Sequence, residues 1–550
     1  MKRLLLFVLF ITLYQSVTAQ SWQDTVQIIN KLFNRYQPNN PGCQLAISRN
    51  GKIIFSKAWG LADIENDVPY TIETVTEAGS ISKQFTAVAI LLLEQQGKLS
   101  LEDDVRKYFP ALPDYGSVIR LKNLLHHTSG IREWSNLAAI TGWPRTTKAY
   151  RNEDVLNMLC RQQKLNNIPG AEFIYSNSNY VLLALVVEKV SGMSLARFTQ
   201  QYIFKPAGMT HTSWRDNYKK VVPNRGIAYA KRDNGYELNM PNESVYGPGG
   251  LLTTTEDLLK WNSFYQNNKL GGHDLLEKQL TIDKLPGGAV TNYAAGLFID
   301  TLRGLRMIYH DGQTASYVGI VESCPKLGLS IAYLSNTTEF KNSLFDGVTG
   351  VENLFIKGTV LKAPEKKVQT PVALSIEKLK KHTGWYSYEK TNEGVEISLQ
   401  HDTLLFKNTA LIPISETQFR YKESVINFNN KDGFLLTTAD KRRLLFKREN
   451  ATKVSPDYLK GFTGTYYSKE TESRFKIIFK EDKLLLEQNY IKDVALLPAY
   501  QQAFNFYLTF DSELYPQPAN ILFERNSKNK VIQCQISMND ARGITFVKIQ

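Results

Sequence analysis

Residues 44–58, QLAISRNGKIIFSKA, alternate apolar and polar positions in two runs joined by Asn50-Gly51, the dipeptide that best tolerates positive φ at both turn positions. The pattern predicts a hairpin. Over 80–96 the period becomes helical and is closed by Gly97, after which Ser100 with Asp103 predicts the cap of another helix. Helical patterns recur over 151–164, 178–192 and 255–267. Near 306 the period returns to two, and 306–309, 316–324 and 329–334 read as consecutive strands, the last two separated by Pro325-Lys326-Leu327-Gly328. The first region is therefore strands, a mainly helical insert, then strands.

From about 360 the character changes, beginning with the Pro- and Lys-rich stretch KAPEKKVQTPVA, which suits a linker over 359–374. Beyond it lies an internal repeat. LKKHTGWY at 379–386 matches LKGFTGTY at 459–466, a shift of 80 residues, and the same shift places HDTLLF at 401–406 on EDKLLL at 481–486. Both copies are rich in alternating apolar and aromatic residues. Two small all-β, barrel-like units are expected, at 375–450 and 451–550, with their closure, separate or joint, left open.

Composition bounds the rest. At 550 residues and 43% hydrophobic content, the chain can bury a large core and spans more than one domain. Met1 to Gln20 reads as two basic residues, an apolar run and Val17-Thr18-Ala19, the form of an export signal cleaved after Ala19. The apolar run is too short to span a bilayer, so no stable membrane anchor is expected after its removal, and the product is placed in the periplasm or outside the cell. The formal net charge of +13 is dispersed along the chain, which argues against nucleic-acid binding. Cys43, Cys160, Cys324 and Cys534 are too widely spaced for a staple framework or a metal site and are expected to be mostly free, buried thiols. The pair His126-His127 has no accompanying ligand motif and reads as turn residues, so no metal is expected, and no cofactor.

Candidate chemistry starts at Ser80-Ile81-Ser82-Lys83. One helical turn separates Ser80 from Lys83, so hydroxyl and amine share a face, and a desolvated lysine could take the serine's proton. Alone, Ser-x-x-Lys is a weak signal. Tyr175-Ser176-Asn177 and His310-Asp311-Gly312 follow in order, the first opening a helix and the second on a strand. With these three, the chain resembles the serine hydrolases that include class C β-lactamases, D-alanyl-D-alanine carboxypeptidases, D-stereospecific aminopeptidases and related esterases. Their motifs are Ser-x-x-Lys, Tyr-x-Asn and Lys/His-x-Gly. The stretches 99–113, 124–131 (LLHHTSGI) and 247–261 agree, so the resemblance covers roughly 25–345.

The resemblance implies a β-lactamase/transpeptidase-like α/β domain over 20–358, an antiparallel sheet with a helical insert. It makes Ser80 the nucleophile, with Lys83 and Tyr175 sharing proton transfer. Asn177, His310 and Gly312 become substrate-binding positions, and the backbone N–H groups of Ser80 and Gln313 the oxyanion hole. Histidine in place of lysine at 310 is mostly neutral at pH 7 and holds a carboxylate weakly, so activity on carboxylate substrates is expected to fall as pH rises through its titration. Gln313-Thr314-Ala315-Ser316, where relatives have further glycines, puts side chains beside the cleft. Four functions compete: a hydrolase of small or short peptides containing D-residues, wall peptides among them; a broad esterase; a β-lactamase; and an inactive homologue that binds a ligand or partner through the β repeats.

Overall fold

The alternation in the first hairpin sorts its side chains between two separate cores. In the computed structural model, which describes residues 21–356, 370–428, 432–509 and 516–549, strand Cys43–Arg49 puts Leu45 and Ile47 into one apolar cluster and Ala46 into another. Successive strand side chains point to opposite faces, so this strand is buried on both sides, and on the Ala46 face the buried amide of Gln44 is satisfied by the Thr74 carbonyl at 2.6 Å and the Thr255 hydroxyl at 2.9 Å. The leader read over 1–19 and residues 359–369 of the expected linker lie outside the described residues.

The sheet has six antiparallel strands in the order Phe298–Leu302, Leu305–Thr314, Tyr317–Cys324, Leu329–Ser335, Cys43–Arg49 and Lys52–Trp59. The earliest strand thus pairs with the last, Ile47 facing Ile331, and the hairpin turn places Asn50 and Gly51 at φ 50° and 77°. Helices Trp22–Leu32 and Lys341–Ile356 cover one face. Across the other lie Lys83–Gln95 and Thr255–Gln266, with the helical insert between them in sequence, including Trp134–Ile140 and Asn177–Ser191. This is the β-lactamase/transpeptidase-like architecture the motifs implied.

Two local expectations change. Ser100 and Asp103 do bond, Ser100 N donating to the Asp103 carboxylate at 3.0 Å, but they close a turn followed only by the short 3-10 segment Val105–Lys107. Ser80 precedes the α-helix, on the 3-10 turn Gly79–Ser82 that feeds into Lys83–Gln95.

The C-terminal region is all-β, and the repeat is visible in it. Short helices Ile376–Lys380 and Pro456–Lys460 each lead into a strand, Gly384–Tyr388 and Gly464–Ser468. In each copy a buried tyrosine hydroxyl donates to the carbonyl four residues back, Tyr386 to His382 at 2.9 Å and Tyr466 to Phe462 at 2.7 Å. The two copies close separately. The second is an eight-stranded barrel sealed by pairing of Gly464–Ser468 with Ala541–Lys548. The first is a nine-stranded sheet ending in the two-residue strands Thr409–Ala410 and Ile412–Pro413, nearly but not fully closed. All four cysteines are free thiols, and Cys43, Cys324 and Cys534 are buried.

Candidate active site

From Thr74 to Leu93 every residue is buried except Ser80. The 3-10 turn makes residues three apart eclipse, which aligns the Ser80 hydroxyl with the Lys83 amine at 3.0 Å. Lys83 has no solvent exposure, and its nitrogen also lies 2.8 Å from Asn177 Oδ1 and 2.8 Å from the Pro248 carbonyl. Burial brings its pKa down to about 7; Glu133 and Asp311 oppose the shift and Arg145 adds to it. Two of the three contacts are to atoms that only accept, whereas a hydroxyl can donate or accept. A neutral Lys83 therefore satisfies both carbonyl-type oxygens with its two N–H bonds and turns its lone pair to the Ser80 hydroxyl.

The second motif enters from an extended segment. Tyr175 and Asn177 are partly exposed and alternate with buried Ile174, Ser176 and Ser178, so the odd positions face the cleft and the even ones the core. The Tyr175 hydroxyl hydrogen-bonds Ser80, its ring lies 4.7 Å from the Lys83 nitrogen, and desolvation raises its pKa well above the usual phenol value. Core-facing Ser176 donates its hydroxyl to Glu133 at 3.0 Å, and its N–H goes to His127 Nδ1 at 3.1 Å. Glu133 also accepts from Asn177 Nδ2 at 3.1 Å and from Ser178 N at 3.2 Å. A carboxylate can only accept, so this contact fixes which end of the Asn177 amide meets Lys83.

The third motif supplies closeness. A Cβ on Gly312 would lie 2.0 Å from the Ala78 carbonyl and 2.8 Å from Ser80 N, and one on Gly79, at φ +53°, would lie 2.6 Å from Gln313 N. Only glycines let the strand and the Ser80 turn abut, which brings the backbone N–H groups of Ser80 and Gln313 into one neighbourhood. His310 is set beneath the cleft, 1% exposed. Its Nδ1 meets the Asp311 carbonyl at 2.5 Å and its Nε2 the Tyr293 hydroxyl at 3.4 Å, so Nδ1 donates and Nε2 accepts. Burial lowers its pKa to about 4, against the opposing pull of Asp311. The expected loss of carboxylate-substrate activity through a near-neutral His310 titration is corrected accordingly: the ring is already neutral well below that range.

The cleft at Ser80 has a volume of about 50 Å³, and Asn177, Gln313, Thr314 and Trp134 are among its lining residues. Two ion pairs complete its wall, partly exposed Arg145 with buried Glu243, and Arg215 with Glu77, both buried, the latter at 2.7 Å and 2.9 Å. Glu133, Arg145, Glu243, Tyr293 and the bonding role of His127 were not visible in the sequence as site residues. Only His127 lay in a flagged stretch, LLHHTSGI, and it does occupy a turn, at φ 54°. Among the described residues no cluster of three or more His, Cys, Asp or Glu could hold a metal.

The family model described as Beta-lactamase matches residues 23–347. Among curated proteins, Protein flp of Staphylococcus aureus (strain MRSA252) is 31% identical over 305 residues, 54% of this chain and 59% of its own length. The chain thus spans about six-tenths of that relative. Penicillin-binding protein 4* of Bacillus subtilis (strain 168) is 27% identical over 68% of this chain and 86% of its own. Among solved structures, the octameric penicillin-binding protein homologue from Pyrococcus abyssi superposes with a TM-score of 0.51 at 20% identity over 96% of this chain and 99% of that one. The D-amino acid amidase from Ochrobactrum anthropi SV3 does so at 0.52 and 21%, over 60% of this chain and 98% of its own. At such identities the likeness to both structures is one of fold.

Proposed function

This chain belongs to the beta-lactamase family of serine hydrolases, and from that premise we propose that it cleaves amide or ester bonds of small substrates through an acyl-enzyme on Ser80. One observation carries the reading: a fully buried lysine amine 3.0 Å from the serine hydroxyl, with its other two contacts on atoms that only accept. Neutral Lys83 takes the proton as Ser80 Oγ attacks the carbonyl carbon. The oxyanion that forms meets the N–H groups of Ser80 and Gln313. Tyr175, bonded to Ser80, gives its proton to the leaving group as it takes up the one held by Lys83, so that both return to their starting forms, and Asn177 orients the substrate while holding Lys83. Water then gives a proton to neutral Lys83 as it attacks the carbonyl carbon of the acyl ester, the bond to Ser80 Oγ breaks, Oγ takes that proton back from Lys83, and the carboxylic acid leaves.

We read the substrates as short peptides containing D-residues, wall peptides included. The ion pairs Arg145–Glu243 and Arg215–Glu77 in the cleft wall suit a short polar chain better than a bulky apolar one. The esterase reading is favoured by a specific observation: a buried, neutral His310 supplies no charge for a substrate carboxylate. Purified protein assayed on D-alanine p-nitroanilide, its L-isomer, p-nitrophenyl acetate and nitrocefin separates these. Preference for the D-anilide supports the peptide reading, and turnover of the acetate alone supports the esterase. A fluorophosphonate probe tests the common step, with stoichiometric labelling expected in the wild type and none in Ser80→Ala. An unlabelled wild type overturns the enzyme reading and favours a binding homologue. Export through the 1–19 leader is part of the proposal, and the mature N-terminus measured by mass spectrometry is expected at Gln20.

A further inference from the structure

The tip of one barrel hairpin reaches the hydrolase centre. Strands Val531–Met538 and Ala541–Lys548 turn at Asn539-Asp540, and the Asp540 carbonyl accepts from Glu133 N at 2.9 Å and from Asn166 Nδ2 at 2.7 Å. Asn166 Oδ1 in turn accepts from Arg542 N at 2.9 Å, and the Asn136 amide donates to the Asp540 carboxyl. The neighbouring Arg132 is buried, pairs with Glu470 of the barrel at 2.5 Å and donates to the Arg542 carbonyl at 2.7 Å. Residues 132–134 are also held from the opposite side. Ser178 at the start of the Asn177–Ser191 helix donates its hydroxyl to the Arg132 carbonyl and accepts from Trp134 N, both at 2.8 Å.

We propose that this hairpin tip is a positioning element of the hydrolase centre, holding Glu133 so that Glu133 sets the Asn177 amide and Asn177 sets the Lys83 amine on Ser80. The proposal rests on the acyl-enzyme reading only in its last link. The preceding links are continuous hydrogen bonds: Asp540 carbonyl to Glu133 N, Glu133 carboxylate to Asn177 Nδ2, and Asn177 Oδ1 to Lys83 Nζ. Glu133 lies in a loop segment with an extended backbone, φ −72° and ψ 121°, just ahead of the helix Trp134–Ile140. No helical backbone bond fixes its N–H, so the barrel carbonyl supplies the restraint that the local structure does not. Along the path itself the Asp540 carbonyl, the Glu133 N–H and carboxylate and the Asn177 amide are all bonded, whereas Asn136 Oδ1 and Arg132 Nε beside it have no partner among the described residues. The barrel is thereby part of how the site is built, and Glu133, Asn166 and Asn136 are positioning residues.

The test uses the full chain with Asn166→Ala, Asn136→Ala and their double variant, beside Ile532→Ser on the outer barrel wall, where Ile532 is 37% exposed. Three quantities are measured: the rate of fluorophosphonate labelling against pH, the melting temperature, and amide hydrogen exchange of residues 133 and 176–178. The double variant is expected to label about tenfold or more slowly, since sub-ångström misplacement of reacting groups is costly, and to show a displaced pH midpoint with faster exchange at those amides. Ile532→Ser is expected to leave all but the melting temperature unchanged. A double variant that melts lower yet keeps the wild-type pH midpoint and exchange overturns the proposal, because a merely structural contact would do the same. Should wild-type Ser80 take up no probe, the hydrolase reading falls while exchange still decides. Slow, unchanged exchange at 176–178 in the double variant then sinks the positioning role.

Discussion

On the proposed acyl-enzyme route Lys83 is the residue on which the chemistry turns, because an ammonium cannot take a proton. With its pKa brought down to about 7, the competent form grows as pH rises through neutrality, so the labelling rate at Ser80 is expected to climb between pH 6 and 8 and then level. Lys83→Met is expected to slow it by about a hundred- to ten-thousandfold on the plateau above neutrality, by less at acid pH where Lys83 is already an ammonium, and to remove that rise. A second titration belongs to the fold. Glu322, buried in strand Tyr317–Cys324 and hydrogen-bonded to Glu352, is held protonated far above the usual carboxyl range by burial first and by Glu352 second. A raised carboxyl pKa contributes stability in full below the unfolded value of about 4.3 and loses it as pH rises through the folded value. Glu322→Gln is therefore expected to raise the melting temperature at pH 8 and to leave it unchanged at pH 4. Ser80, Lys83, Tyr175 and Asn177 were legible as neighbours in the sequence because short fixed spacings place the first two on one turn and the other two on the same side of an extended segment. Glu133 was not, since a lone acidic residue in a loop has no periodicity to announce it.

At the scale of elements, the site depends on two pieces of backbone brought closer than side chains permit. Gly312→Ala would force its Cβ onto the Ala78 carbonyl, so the strand and the Ser80 turn must part. Labelling of Ser80 is expected to fall by about a hundredfold or more while the far-ultraviolet circular dichroism stays that of the wild type, since one donor of the proposed oxyanion hole is worth that much and the remaining sheet is untouched. The hairpin over 44–58, the helices over 178–192 and 255–267 and the late strands were readable to within one or two residues, apart from Arg306–Tyr309, which belongs to a longer strand, Leu305–Thr314. Periodicity persists along such segments. What it could not show was that Ser100 and Asp103 cap a turn, because the same side-chain bond serves a helix start and an isolated turn alike.

In the whole molecule, the apolar cluster on the helical side of the sheet continues into the barrel interior, joining Phe85 and Trp134 to Phe475 and Phe546 in one cluster. The first β unit keeps a core of its own, around Phe406, Phe434 and Phe446. Hydrogen exchange is accordingly expected to show barrel and hydrolase amides opening in one cooperative step and residues 384–449 opening in another. A barrel that exchanges well ahead of the hydrolase sheet would contradict a shared core. The 80-residue repeat revealed that two β units exist, yet not their difference in closure, which depends on long-range pairing that local sequence does not encode.

The nearly closed unit has lips only two residues long, Thr409–Ala410 and Ile412–Pro413, and one of them carries a proline. A foreign chain seeking to zip onto such a margin finds too few exposed amide donors to grip, and Pro413 offers none. The unsealed rim is thus a poor seed for fibrous self-association, and the duplicated module can forgo sealing without becoming sticky.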